Sequence, residues 1–346
     1  MKMWMIVVGM LAMAVSGLPV VAAVVAPEKR YVKPDEAVVV RFLNETEAGK
    51  KAMGKIGLAA MELEGMYKEA RRGEVADASG MPLFAVYTFE GKKLEGAGKV
   101  EWANEGEHSE VKLSSVFPQV KEAGTYLLVW KDATPLVIQT LGNPVPWSAL
   151  MDAASGQREA VQKQVKDQPP VVTHMGLLEY GVITTNKGPI EVKFAYDVAP
   201  HTVDNFISLA REQFYDGSAF HRIIAGFMIQ GGDSLATVPG RAGTGGPGYA
   251  VAAEFSEKLH ERGTLSMARS AAVDSAGSQF FIMHQKTPHL DGQYTAFGDV
   301  IGGMNVVDEL VKTPVADKNG TVAGEKPKIE SVRVLPATLE MYGVKK

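Results

Sequence analysis

The sequence has no cysteine among its 346 residues. Disulfides, thiolate chemistry, Cys-ligated zinc and a lipoprotein anchor are therefore excluded together. An excess of basic charge is also missing: 36 Lys and Arg stand against 40 Asp and Glu, a net charge of −4. Binding to nucleic acid needs a basic face for the phosphates, so nucleic acid is not an expected partner. No basic domain hides in the C-terminal half, where Met175–Glu340 holds 14 Lys and Arg against 19 Asp and Glu. A long run that is both uncharged and almost wholly apolar occurs only at the N-terminus. There, nothing after Lys2 carries charge until Glu28, and Met3–Ser16 is almost wholly apolar.

That run points to export. Gly17-Leu18-Pro19 breaks a helix, and Val21-Ala22-Ala23 supplies small residues suited to signal peptidase. A signal peptide over residues 1–23 is expected, with a mature chain from near Val24 working in the periplasm. An uncleaved membrane anchor is the alternative, because the run approaches a transmembrane length. Neither reading leaves the protein in the cytoplasm, and the membrane is a partner only in the second.

What is present describes two ordinary globular domains: 46% hydrophobic and 22% charged residues, over a length too great for one typical domain. Residues 31–146 read as β-rich. Ala37–Leu43, Pro82–Phe89, Gly124–Trp130 and Pro135–Thr140 are strand-like runs bounded by turn residues. Between the first two, Met53, Ile56, Ala60, Leu63, Tyr67 and Ala70 follow helical spacing, interrupted by Gly54, Gly57 and Gly65. The expectation is a β-sandwich-like domain with a helical insertion. Residues 147–172 are polar and helix-compatible until Asp167-Gln168-Pro169-Pro170, which marks a linker.

A second domain is expected over 175–340. Tyr180–Thr185 and Ile190–Phe194 alternate around Asn186-Lys187-Gly188, a hairpin signature. Pro200 opens a helix whose Val203, Phe206, Ile207 and Ala210 share a face. Strand-like runs follow at Phe227–Gln230, Thr264–Ala268, Gln279–Met283 and Ala296–Val300, with a short helix suggested by Val306, Val307, Leu310 and Val311. The order lacks the regular alternation of a parallel sheet and suits an α+β or barrel fold.

Four segments carry chemistry: Phe220–Asp233, Gly243–Gly248, Leu265–Arg269 and Gly277–Ile282. Each alone is weak. In this order and spacing they resemble the cyclophilin family over about Met175 to Pro336. The resemblance implies a closed eight-stranded antiparallel β-barrel capped by two helices, and peptidyl-prolyl cis/trans isomerase (rotamase) activity without a cofactor. Proline-containing polypeptides, exported or unfolded, are the implied substrates. Carried over by position, Arg222 matches the catalytic arginine, with Gln230 and Phe281 beside it at the reacting bond. Phe227, Met228, Phe281 and Leu290 match the proline pocket, and Gln230 and Gln279 the groups that orient the substrate backbone. Ala268 and Arg269 match the strand edge along which the peptide lies. His289 stands where many members have tryptophan, Tyr294 where they often have histidine, and Arg269 where asparagine is frequent. These changes leave turnover in place and disfavour tight binding of cyclosporin-like ligands.

Taken singly, Phe227, Met228 and Phe281 would be core and Arg222 a surface ion-pair partner; the ordered set reverses both readings. His221 is expected to be structural. His284 and His289 lack a third ligand for a metal, and the glycines at 243–248 lack the Gly-Lys-Ser/Thr ending of a phosphate loop. Asn44-Glu45-Thr46 and Asn319-Gly320-Thr321 match a frequent three-residue glycosylation pattern. The competing functions are a cyclophilin-shaped peptide-binding or chaperone module with vestigial catalysis, and a partner-recognition role for the N-terminal domain.

Overall fold

Antiparallel strands are the main regular elements among the described residues. A computed structural model describes residues 23–27, 31–32, 36–45, 67–103, 109–141 and 172–344. The expected signal peptide (but for Ala23), most of the helical insertion and nearly all of the linker lie outside the described residues. Among those described, no helix is long and apolar enough to cross a membrane. The chain divides into two compact units, one being Met1–Leu178 with Pro336–Lys346 and the other Glu179–Leu335.

The first unit holds two sheets. In one, β1 (Ala23–Pro27), β3 (Val39–Glu45) and β4 (Tyr67–Glu69) are neighbours, and β6 (Glu110–Lys112) also pairs with β3. The other runs β2 (Tyr31–Val32), β9 (Val172–Leu177), β8 (Leu136–Leu141), β7 (Gly124–Val129), β5 (Ala85–Thr88). Single helical turns, α1 (Arg72–Val75) and α2 (Leu113–Val116), connect them. Buried side chains from both sheets form one core, among them Val40 and Phe42 with Val86, Leu128 and Ile138. Trp130 lies edge-on to Phe42, ring centroids 5.1 Å apart, and its indole N–H donates to the Glu74 carbonyl at 3.0 Å.

Two expectations fail here. Tyr67–Glu69, at the end of the anticipated helix, is a strand, because β3 offers an open edge on which Leu43 registers with Glu69. The domain boundary also moves. Residues 172–177 form a strand of the first unit, with Met175 opposite Ile138 and buried. The chain then returns to that unit at its C-terminal end. The Ala337 amide donates to the Leu178 carbonyl at 2.9 Å, and Ala337, Leu339 and Val344 are buried. The second unit is therefore 179–335 and not 175–340.

The second unit begins with the hairpin of β10 (Glu179–Thr185) and β11 (Gly188–Phe194). After it come α3 (Pro200–Arg211), β12 (Ser218–Ala219), β13 (Arg222–Ile224), β14 (Met228–Gly231), β15 (Thr264–Met267), β16 (Phe280–Met283) and β17 (Ala296–Gly302). The helix α4 (Met304–Leu310) and β18 (Lys328–Pro336) complete it. The nine strands form one curled sheet in the order β12-β18-β10-β11-β17-β15-β16-β14-β13. Its two end strands are separated in the chain by Phe220 and His221 alone.

Helix α3 packs on the sheet through Val203, Phe206, Ile207 and Ala210, the face read from the spacing. Phe206 is the centre of the core, with ring centroids of Tyr215, Phe297, Phe280 and Phe194 at 5.0, 5.4, 5.5 and 5.7 Å. The first-turn amides of α3 have no partners within the helix. The Glu254 carboxylate accepts from two of them, His201 at 3.0 Å and Thr202 at 2.8 Å.

Candidate active site

Arg222 and Gln230 stand directly opposite each other across the β13–β14 hairpin. Side chains two apart on a strand share a face, so Met228 lies beside Gln230 while Ile223 and Ile229 turn into the core, both essentially buried. The turn of the hairpin uses Gly226 at φ 78°, a left-handed conformation that glycine adopts without strain. Strand β16 pairs with β14 so that Phe281 registers with Gln230, and β15 continues the surface. Beyond β15, the Ala268 amide donates to the Gln279 carbonyl at 2.9 Å. A short 3-10 turn, Pro288–Leu290, brings Leu290 in from the side.

These residues enclose a pocket of about 350 Å³. Met228, Phe281 and Leu290 form its buried apolar floor, with Ile224, Phe227, Ala268 and Tyr294 packed around them. The Tyr294 ring meets Phe281 edge-on at 5.8 Å. Arg222 lies on the polar rim, where its Nε donates to the Asn319 carbonyl at 2.9 Å and its Nη1 to Gln230 Oε1 at 3.3 Å. A guanidinium only donates, so it fixes the Gln230 amide with oxygen towards Arg222. Gln230 Nε2 then donates to Gln279 Oε1 at 3.0 Å, and Gln279 Nε2 to the carbonyls of Gly245 at 2.9 Å and Gly243 at 3.2 Å. The rim is thus a directed chain of side-chain amides running from Arg222 to the glycine-rich loop.

That loop walls a second, adjoining cavity of about 720 Å³, which shares Gln230, Gly243, Ala268 and Arg269 with the first. It is held from within by Asp233, fully buried, whose carboxylate accepts the amides of Gly243, Leu235 and Gly245, the last two at 2.8 Å. A Cβ at position 245 would lie 2.1 Å from Asp233 Oδ1, so only glycine allows this approach.

Nine of the eleven residues singled out from sequence line the apolar pocket: Arg222, Phe227, Met228, Gln230, Ala268, Arg269, Phe281, Leu290 and Tyr294. Gln279 lines the adjoining cavity. His289 lines neither and stacks on Phe227, centroids 6.0 Å apart. Several contributors had no signal in the sequence. Asn319 and Thr321, noticed only as part of a glycosylation pattern, line the pocket, and Asn319 orients Arg222. Wholly buried His260 stacks under Phe281 at 6.1 Å. Its Nδ1 lies 3.0 Å from Asp291 Oδ1 and its Nε2 2.9 Å from Ser266 Oγ, tying the Leu290 turn to the pocket floor. His284 Nδ1 accepts the Gly226 amide at 2.9 Å and so braces the turn that carries Phe227.

Burial pulls the pKa of His260 below the usual 6.5, against the opposing pull of Asp291. His221, on the pocket wall, is lowered too, chiefly by burial, with Asp233 acting in the other direction. Both rings are neutral at pH 7. The site then offers fixed donors, an apolar cup and the neutral imidazole of His221.

The family described as cyclophilin type peptidyl-prolyl cis-trans isomerase/CLD matches residues 180–334. A peptidyl-prolyl cis-trans isomerase of Synechococcus elongatus is 45% identical over 139 residues, which are 40% of this chain and 88% of that protein. The chain belongs to the cyclophilin-type isomerases. Peptidyl-prolyl cis-trans isomerase B of Bacillus subtilis is 50% identical over 123 residues, covering 35% of this chain and 82% of its own. A solved cyclophilin type isomerase from Cryptosporidium parvum is 31% identical, with 46% of this chain and 99% of that one covered and a TM-score of 0.41. The cyclophilin match coincides with the second unit, so the groove described above lies wholly inside the family's domain.

Proposed function

We propose that this groove binds an Xaa-Pro segment of an exported or unfolded polypeptide and lowers the barrier to rotation about its imide bond. Rotation faces about 18–20 kcal/mol because it destroys amide resonance. In the twisted state the proline nitrogen regains a lone pair that the planar ground state lacks. Arg222, which no carboxylate neutralises among the described residues, donates to that nitrogen. The interaction exists only near the transition state, which is the condition for catalysis. The Met228–Phe281–Leu290 cup grips the ring while Gln230 and Gln279 orient the preceding backbone. The carbonyl side turns, and no covalent intermediate or cofactor takes part. Each ~1.4 kcal/mol removed from the barrier gives a tenfold rate.

The observation that carries this reading is an oriented guanidinium at the rim of a pocket with a buried apolar floor. Arg222→Lys keeps the charge but loses the planar fork. It is expected to reduce kcat/KM on short Xaa-Pro peptides by about 100-fold, with an unchanged thermal melt. Turnover equal to wild type would leave the groove as a peptide-holding module and remove the catalytic assignment.

Closure of the sheet into an eight-stranded barrel is part of the same reading. It is supported by β12 and β13 being joined through Phe220-His221, which makes them one bent strand. A sandwich in the first unit is supported by the core its two sheets share. Export to the periplasm rests on the apolar Met3–Ser16 run and the small residues before Val24. N-terminal sequencing of protein isolated from the envelope tests it; a start at Met1 in a membrane fraction would favour the anchor instead.

A further inference from the structure

The charge around the groove is opposite in sign to the domain that carries it. Residues 179–335 are acidic, with 14 Lys and Arg against 18 Asp and Glu. Yet neither cavity has an Asp or Glu in its lining, and the charged side chains there are Arg222 and Arg269. Asp233, beside the glycine-rich wall, is turned inwards and occupied by backbone amides.

Three of the unit's four other arginines are neutralised, Arg241 being the exception among the described residues. Arg211 pairs with Glu179, Arg262 with Asp308 and Arg333 with Asp216. Arg222 and Arg269 have no such partner among the described residues. Arg269 is nevertheless held in place. Its guanidinium lies 4.6 Å over the Tyr294 ring, Nε donates to the Gln293 carbonyl at 3.1 Å and Nη1 to the Ser270 carbonyl at 3.0 Å. Among the described residues Nη2 has no protein acceptor, and Arg269 lines both cavities. A planar fork ordered in advance loses little entropy when it takes an anion.

Resting on the isomerase reading, we propose that the groove selects Xaa-Pro segments with an anionic side chain within two residues of the proline, and that Arg269 reads that charge. A peptide with its ring in the 350 Å³ cup sends its neighbouring residues across the Ala268–Arg269 wall into the 720 Å³ cavity. A negative side chain there meets a half-buried cation with no competing carboxylate. A lysine meets like charge from Arg222 and Arg269 together. The shared ligand chemistry is a carboxylate or a phosphate monoester.

The test is a peptide series with Glu, Gln, Lys or phosphoserine placed in turn at each of the two positions before proline and the one after. For each peptide, kcat/KM and Kd are measured with wild type, Arg269→Gln and Arg269→Lys, at low salt and at about 0.5 M salt. At one position or more, Glu is expected to exceed Lys by about tenfold, combining one favourable and one unfavourable contact of surface strength. The ratio should fall to within about twofold in high salt and in Arg269→Gln, and persist in part in Arg269→Lys. A phosphoserine advantage larger than that of Glu assigns the site to phosphorylated chains; one no larger assigns it to acidic ones. Equal rates and affinities for Glu and Lys at every position overturn the proposal, as does a ratio that survives Arg269→Gln. Failure of wild type to turn over even the Gln peptides defeats the isomerase reading instead, and the Kd ratios then decide the charge preference alone.

Discussion

Phe227 owes its place to a residue that never meets the pocket. His284 accepts the Gly226 amide, and the His284 amide in turn donates to the Phe227 carbonyl at 2.8 Å. Removing the ring should loosen the wall that grips proline. His284→Ala is expected to raise KM for a short peptide about threefold to tenfold, the worth of one hydrogen bond, with kcat little changed. Asparagine can offer its oxygen where Nδ1 stood, so His284→Asn should recover most of the loss; equal defects in both variants would mean that the imidazole acts only by filling space. Most residues read from sequence lie in short local motifs, Arg222 and Gln230 in Phe220–Asp233 and Phe281 in Gly277–Ile282. His260 pairs with Asp291 across 31 residues and Arg222 with Asn319 across 97, and no local pattern announces such a contact.

The two buried histidines also set a pH dependence. His221 and His260 are held below 6.5 by burial, so the unfolded chain binds their protons first as the solution is acidified. In the window between 6.5 and their lower native values, the unfolded state carries more protons and the folded state loses stability as pH falls. The denaturation midpoint of the second unit should therefore drop between pH 7 and pH 5, and His260→Asn should flatten that slope. A midpoint constant over the window would count against the lowering of the two rings by burial.

At the scale of elements, turn chemistry and helix punctuation were the legible signals. Asn186-Lys187-Gly188 makes the expected hairpin and Pro200 opens α3. What escaped was whatever a distant segment supplies. No N-cap side chain closes α3; the Glu254 carboxylate arrives from 52 and 53 residues away to accept its first amides. Glu254→Ala is expected to cost about 1–2 kcal/mol of stability, as a strong cap does, read as a lowered melting temperature. Strand β9 was missed for a similar reason. Its run follows a polar, proline-rich stretch, and only the free edge of β8 makes it a strand.

For the whole molecule, the family resemblance located the groove but not the cut points. A fragment from about Gln168 to the end would carry β9 and the apolar Ala337–Val344 segment without the strands they pack on. The fragment 179–335 carries neither and includes every residue lining the two cavities. It is expected to fold alone and to isomerise a tetrapeptide within about twofold of the full chain, since domains with their own core fold independently. Loss of tetrapeptide turnover in this fragment would mean that the first unit completes the site.

The bond between Ala337 and Leu178 also has a temporal meaning. Synthesis runs from the N-terminus, so the segment that closes the first unit leaves the ribosome only after all of 179–335 has emerged. The second unit can settle as soon as its own last strand is out, whereas the first must keep Leu339 and Val344's places open until then. The chain of the second unit is thus complete before that of the unit that precedes it.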